Sequence, residues 1–429
     1  MHIVKFQGGL ANQLFQLCLY NKLIEKYGKE SVRADISHYK TNNDHGGYKL
    51  DDYYQLSYIN ELPEGCLVIC EKNFDIVVFS GDRDYYYNGY WQSEVFFPRD
   101  ISFINDIVRV KYLDKDREKL IQLIETSASV SIHIRRGDYV NNPFHGNIAN
   151  MAYINNAIDY IKKHIYHPIF FVFSDDISWC RENLSISESE CHYVSGDNED
   201  ATTDLFMMSL CNHNIISNSS FSWWAQRLNK NENKVVISPE YWFNDGGNLC
   251  IPEQTGFVYV KNIPSIPNCH EDPIFSIIVN FGNNEIYLRR FLASILNQKF
   301  ERIEILVVDN PDKCTHKTLM DCACYNAKIH VIESKGILYT FRGIISAWKN
   351  VKGKYVVLAD AKDFFSERYW SEINIQLNNS QDGKPIKWLF RSEEKRFIRY
   401  ATLFKIEKAF EQGKSIVNEV FIKMRNKLK

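Results

Sequence analysis

From residue 130 to about residue 238, short apolar runs rich in β-branched and aromatic residues alternate with amphipathic stretches of helical period. The expected strands are 130–134, 169–173, 192–194, 214–216 and 234–237; the expected helices are 151–164, 176–183, 202–211 and 221–228. A chain that alternates in this way buries such strands as a parallel sheet covered on both faces. The N-terminus starts a similar pattern, with a strand at 2–6, the turn Gly8-Gly9, a helix over 10–27 and a strand at 32–35. The fold class is therefore α/β, with two Rossmann-like halves and a cleft between them.

Open α/β sheets bind ligands beyond the carboxyl ends of their strands, so the residues that follow each strand carry the chemistry. After the strand at 130–134 the sequence runs SIHIRRGDY over residues 131–139, placing His133, Arg135, Arg136 and Asp138 within six positions. Adjacent arginines on an extended segment point to opposite faces, so one can clamp an anion while the other ties the turn to its surroundings. A guanidinium fork matches phosphate oxygens and keeps its charge. A surface ion-pair turn would use the same residues. Asp138 is the candidate base, its alternative role being to lock Arg136 or the turn.

Three other strand ends add polar groups. Gly8 and Gly9 join a strand to a helix start, an arrangement that brings backbone N–H groups and a positive dipole end to a phosphate. A tight structural connection would also need glycines, and Asn12 and Gln13 on the first helical turn favour a site. Asp175-Asp176 follows the strand at 169–173, one of them being the expected helix N-cap. Asp204 sits near the start of an apolar helix, and Ser217, Ser219, Ser220 and Ser222 crowd the start of another, where one serine would suffice for capping. Between about residues 30 and 125 lies an aromatic-rich region that includes 85–91, suited to a core or to stacking against sugars.

With 429 residues, two or three domains are expected. The formal net charge of −2 gives no signal for nucleic acid. It is unevenly spread: from Lys384 onward there are 13 Lys/Arg against 5 Asp/Glu. The 11 cysteines are scattered without metal-ligand spacing, which predicts reduced thiols, no metal site and a cytoplasmic setting. No apolar run reaches the ~18 residues of a membrane span, and the start MHIVKFQGG does not read as a secretory leader.

The runs FQGGLANQLFQ, SIHIRRGDY, FSDDISW, DLFMMSLCNHNIISNSSFSWW and SPEYWF, spread over residues 1 to about 262, resemble the α-1,2-fucosyltransferases of glycosyltransferase family 11. Ala11 departs from the glycine usual there. The resemblance implies a GT-B-like pair of Rossmann-like domains, residues 1–125 on the acceptor side and 126–262 binding GDP-fucose. It also implies inversion at the sugar carbon, no metal, and a β-galactoside-terminated acceptor. Carried over by position, Arg135 (with Arg136 as the other candidate) neutralises the departing diphosphate, His133 approaches the nucleotide, and Ser219 and Ser220 face its phosphates. Gly8, Gly9, Asn12 and Gln13 line the donor side of the cleft, with Asp204 among the donor-binding residues.

Beyond a linker at 263–273 the pattern begins again, with a strand at 275–281, a helix over 287–298 and a strand at 303–309. It resembles the start of a family-2 glycosyltransferase, a partial GT-A-like domain over 274–429. The metal-binding Asp-X-Asp of that family falls on Asp360-Ala361-Lys362-Asp363, where a lysine replaces the second acid. A cation there opposes a divalent metal, so the module is expected to be degenerate. Its basic end reads as a helix covering the domain, or as a contact with an anionic membrane surface carrying a lipid-linked acceptor. The leading expectation is a fucosyltransferase; the alternatives are a glycan- or sugar-nucleotide-binding protein and an active C-terminal module.

Overall fold

The computed structural model describes residues 1–42, 46–71, 83–110, 114–140, 142, 144–194, 201–244, 256–266, 272–280, 285–311, 315–334, 339–353, 355–360, 363, 365, 368–379, 387–391, 398–402 and 404–405. The chain falls into two compact units. The first comprises Met1–Ala149 and Ala157–Val260; Asn150–Asn156 groups with the second, which starts at Lys261.

The first unit holds two parallel sheets. Strands β1 (His2–Lys5), β2 (Val32–Asp35), β3 (Leu67–Ile69) and β4 (Tyr85–Tyr87) form one, in the order β2-β1-β4-β3. Helix α1 (Leu10–Tyr27) follows β1, and the short α2 (Phe103–Ile107) and α3 (Lys115–Thr126) lead out of this half. Asp114 caps α3 by accepting from the amides of Asp116 and Arg117.

The second sheet contains β5 (Ala128–Ile134), β6 (Pro168–Ser174), β7 (Cys191–Tyr193), β8 (His213–Ile215), β9 (Val236–Pro239) and β10 (Phe257–Val260), in the order β10-β9-β8-β5-β6-β7. Helices α4 (Met151–His164), α5 (Ile177–Asn183), α6 (Ala201–Leu210) and α7 (Ser220–Leu228) alternate with these strands. All strands stay parallel, and in each sheet the order in which the chain lays them down changes side once. The first does so between β1 and β4, the second between β5 and β8.

One hydrophobic core runs through both halves of the first unit, from Val4, Phe6 and Leu14 through Phe171 and Leu205 to Trp223 and Trp224. Its centre is aromatic. Phe15 lies 4.9 Å from both Trp223 and Trp224, and Phe97 stacks on Trp224 at 5.4 Å. The expected use of the aromatic stretch is thereby divided, since Tyr85, Tyr87 and Trp91 are buried while Tyr90 stays exposed.

In the second unit, β11 (Phe275–Asn280), β12 (Ile303–Asp309), β13 (Ile329–Glu333) and β14 (Tyr355–Asp360) are parallel, with α8 (Glu285–Leu296), α9 (Thr315–Tyr325), α10 (Tyr339–Lys349) and α11 (Tyr369–Asn379) between and after them. The stretch read as a covering helix is different where described. Strands β15 (Lys387–Arg391) and β16 (Ile398–Thr402) pair antiparallel, and β17 (Phe404–Lys405) adds to β14. Trp388, Phe390, Ile398, Tyr400 and Thr402 are strand formers, which outweighs the lysine-rich composition. The rest of the basic end, including Phe397, Leu403 and Phe410, lies outside the described residues. Among the described residues no helix is long and apolar enough to cross a membrane.

Candidate active site

The reversal of the second sheet between β5 and β8 opens a crevice at the carboxyl ends of two neighbouring strands, the place where such sheets receive ligands. Arg135 leaves β5 at this point. Its Nε and Nη2 donate to Asp138 Oδ1 at 2.9 and 2.6 Å, and its Nη1 pairs with Asp175 Oδ2 at 3.0 Å. Arg136 turns away, donating from Nε to Asp176 Oδ2 at 3.2 Å and lying 3.7 Å over the Trp179 ring. The two arginines thus divide their partners: Arg136, with φ −119 and ψ −70, fastens the turn through Asp176 and Trp179, and Arg135 pairs with Asp138 and Asp175.

Asp138 is the partner of Arg135; the alternative of a lock on Arg136 falls to Asp176. Asp176 is also the expected N-cap, accepting from the Trp179 amide at 3.0 Å. Asp175 does more than its sequence position suggested. It accepts from the Arg136 amide at 2.8 Å, pairs with Arg135, and closes on Gly137, where a Cβ would stand 2.7 Å from its Oδ2. The motif FSDD signals this residue only as a cap, because its partners lie about 40 positions away.

The serines at the start of α7 are mostly turned inward. Ser217 Oγ meets His133 Nδ1 at 2.8 Å, and Ser222 Oγ donates to the carbonyls of Ser217 and Ser219. Ser219 is the N-cap, accepting from the Phe221 amide at 3.3 Å. Only Ser220 reaches across, donating to Asn12 Oδ1 at 3.1 Å. His133, expected to approach the nucleotide, and Ser219, expected to face its phosphates, both have side-chain partners within the chain. His133 is buried against Ser217 and Phe221, and burial, then the nearby Arg135, lowers its pKa to about 3, so it is a neutral prop behind the turn. Of these serines, Ser220 is the one bonded to the start of α1, through Asn12.

Asn12 brings the start of α1 against that of α7. Its Oδ1 also accepts from Gln92 Nε2 at 2.8 Å, and Trp224 Nε1 donates to the Ala11 carbonyl at 3.0 Å. Two helix N-termini therefore converge on one spot beside the crevice, each equivalent to roughly half a positive charge. Gly9 is the N-cap position of α1. Gly8 adopts φ +76, and its bare face is filled by the chain itself: a Cβ there would meet the Asn12 amide at 2.7 Å and the Tyr90 ring at 3.2 Å.

Gln13, expected to line the donor side of the cleft, has its side chain engaged within the chain. It is fully buried, donating to the Gly8 and Gly47 carbonyls at 2.9 and 3.0 Å and accepting from the Lys49 amide at 2.9 Å. Asp204 lies half-buried in the first turn of α6, beside Thr202, whose Oγ1 is 3.3 Å from Tyr53 Oη of the first half.

Tyr139 is a site residue the sequence reading did not single out. Its hydroxyl donates to the Asn218 carbonyl at 3.2 Å and its ring stacks on His145 at 4.8 Å, with the Arg135 guanidinium 5.8 Å away. Burial, partly offset by Arg135, keeps this phenol protonated.

In the second unit Asp309 ends β12 and its Oδ2 lies 2.5 Å from His316 Nδ1. Asp360 ends β14, while Ala361 and Lys362 lie outside the described residues. Among the described residues no cluster of three potential metal ligands occurs.

Arg135 and the starts of α1 and α7 thus gather at the carboxyl ends of parallel strands, an arrangement suited to an anionic ligand. Residues 48–246 match the family described as Glycosyl transferase family 11, and residues 276–382 match Glycosyl transferase family 2. The chain is similar to an alpha-1,2-colitosyltransferase of Escherichia coli, with 31% identity over 56% of this chain and 92% of that one. It is also similar to galactoside alpha-(1,2)-fucosyltransferase 2 of Bos taurus, with 35% identity over 24% of this chain and 31% of that one. Among solved structures, that of the NodZ alpha-1,6-fucosyltransferase soaked with GDP-fucose aligns at 12% identity and a TM-score of 0.34, covering 53% of this chain and 92% of that one. The chain belongs to glycosyltransferase family 11, with a family-2-like region following it.

Proposed function

We propose that this chain transfers L-fucose from GDP-β-L-fucose to the 2-hydroxyl of a terminal β-galactoside, inverting the sugar carbon, in the assembly of a glycan. The observation that carries the proposal is Arg135 standing at the β5/β8 reversal beside the converging starts of α1 and α7. In the transfer, the bond from the fucose anomeric carbon to the GDP oxygen breaks as the galactose 2-oxygen bonds to that carbon. The 2-hydroxyl proton passes to a base, and the electron pair leaves with the diphosphate. Arg135 and the helix-start amides stabilise that growing charge, which is where fixed donors accelerate a reaction most. The likeness to galactoside alpha-(1,2)-fucosyltransferase 2 of Bos taurus supports the choice of donor and acceptor.

Asp138 fits the base. It is the more exposed of the two carboxylates holding Arg135, with side-chain exposure of 49% against 13% for Asp175. A diphosphate that draws the guanidinium toward itself releases Asp138 first. Asp138→Asn is then expected to lower kcat by about 10²-fold, the scale of a lost general base, while tightening GDP binding. An unchanged kcat with altered donor affinity alone would reduce Asp138 to a partner of Arg135.

The testing assay is transfer from GDP-fucose to lactose with EDTA present. Activity is expected to persist, because the positive charge needed by the leaving group comes from the protein. A requirement for added Mn²⁺ would move the chemistry to the family-2-like region. Failure to bind GDP-fucose would leave the glycan-binding alternative.

A second donor, GDP-colitose, is favoured by the Escherichia coli relative, of which this chain covers 92%. Colitose is fucose without its 3-hydroxyl, and a site built around a sugar hydroxyl rejects the sugar lacking it by ~10⁴-fold. Parallel assays with the two donors decide between them. A lipid-linked galactoside as acceptor, with the basic C-terminal end resting on an anionic membrane surface, belongs to the same proposal.

A further inference from the structure

Past the Arg135 turn the chain crosses the carboxyl ends of three strands of the second sheet. It leaves β5, is tied at Tyr139 and His145 to Asn218, which follows β8, and is tied at Phe144 and Gly146 to Asn244, which follows β9. This strap therefore borders the β5/β8 crevice.

Its backbone is held from both sides. Asn142 Oδ1 accepts from the Phe144 and His145 amides at 2.9 and 3.1 Å, and the Asn142 carbonyl accepts from the Gly146 amide at 2.8 Å. The next three carbonyls are each taken. That of Phe144 accepts from the Asn244 amide at 2.8 Å, that of His145 from Asn218 Nδ2 at 3.1 Å, and that of Gly146 from Asn244 Nδ2 at 2.8 Å. The closure is tight enough that a Cβ on Gly146 would stand 2.5 Å from the Asn142 carbonyl oxygen. Surface loops are usually the mobile part of a fold; these hydrogen bonds fix this one.

What the fixed strap carries outward is the ring of Phe144, which is 55% exposed. An exposed apolar side chain is ordinary by itself. Its setting here is not. The Arg135 guanidinium lies 5.8 Å from the Tyr139 ring, that ring stacks on His145 at 4.8 Å, and Phe144 is the adjoining residue.

We propose that Phe144 is the nucleobase platform of the donor site, its ring stacking against the guanine of the nucleotide whose diphosphate lies at Arg135. This rests on the GDP-fucose reading given above, and it holds equally for GDP-colitose, which carries the same base. The ring itself favours a base over a sugar. Any base presents a flat π-face to an aromatic side chain, whereas a sugar rewards a ring with a polar tip for its hydroxyls, which phenylalanine lacks. The strap is also set in advance, so little ordering entropy is lost when the base arrives.

The experiment is titration calorimetry of the full-length wild type, Phe144→Ala and Phe144→Trp with GDP, ADP, UDP and inorganic pyrophosphate, and with lactose in the presence of GDP. Phe144→Ala is expected to weaken GDP binding by about tenfold or more, while pyrophosphate affinity stays within about twofold because Arg135 is untouched. Phe144→Trp keeps a stacking face, so it should bind GDP within about threefold of the wild type and show a larger GDP-induced quenching of tryptophan fluorescence. Unchanged GDP affinity in Phe144→Ala, an equal loss for pyrophosphate, or a loss confined to lactose would each overturn the platform. A wild type that binds ADP or UDP in place of GDP would overturn the donor reading alone, and the variants compared with that nucleotide would still judge Phe144. Binding of none of the three nucleotides would overturn both.

Discussion

Arg135→Ala is expected to lower kcat/KM for fucosyl transfer by at least about 10³-fold, with the loss falling on kcat. The guanidinium has two carboxylate partners in this structure and is the side-chain cation set at the β5/β8 crevice, Arg136 being spent on Asp176 and Trp179. Removing it leaves Asp138 and Asp175 to face the diphosphate as uncompensated negative charges. The variant therefore carries repulsion as well as a lost donor. Arg135→Lys keeps the charge but not the fork, and should recover only part of the rate. Steady-state kinetics of both variants, with GDP affinity measured alongside, test this. A loss below tenfold in Arg135→Ala would mean that the leaving group is stabilised elsewhere.

The second large effect concerns stability. Gln13→Leu should lower the unfolding free energy by ~3 kcal/mol, since buried partners deprived of their hydrogen bonds cost roughly 1–3 kcal/mol each. The Gly47 carbonyl and the Lys49 amide lose their Gln13 contacts, whereas the Gly8 carbonyl keeps the Tyr39 hydroxyl at 2.7 Å. Chemical denaturation followed by tryptophan fluorescence reads the change. If Gln13 instead touched the donor, stability would hold and GDP binding would fall.

These two residues mark how far the sequence could be read. The α/β class was legible because alternating short apolar runs and amphipathic helices admit few packings, and the structure bears it out. The helices at 10–27 and 151–164 fall on the residues their apolar spacing indicates, as does the strand at 303–309. Strand ends were also visible, so the polar residues that follow them could be named in advance. The direction of a side chain beyond a strand end was not. Gln13, Ser217 and His133 share turns with residues that face the cleft, and only the partners waiting inside decide which of them turn inward.

The division of the aromatic run at 85–91 between core and surface was hidden for a related reason. β3 and β4 are three residues each, too short for a periodic signal; β4 takes its place beside β1 by pairing His2 with Tyr85, far apart in the chain, and β3 lies beyond it. An aromatic run gives no hint of which ring is core and which is surface until that pairing is known.

The aromatic seam of Phe15, Phe97, Trp223 and Trp224 has a practical corollary for engineering. Because the two halves of the first unit share one interior, neither is a cassette. Grafting the N-terminal half of a relative to change acceptor choice would place foreign side chains against Trp223 and Trp224, and the chimera would have to carry its own version of both faces. Even exchange of the 88–92 turn alone would reach that interior, since Trp91 is fully buried in the same core.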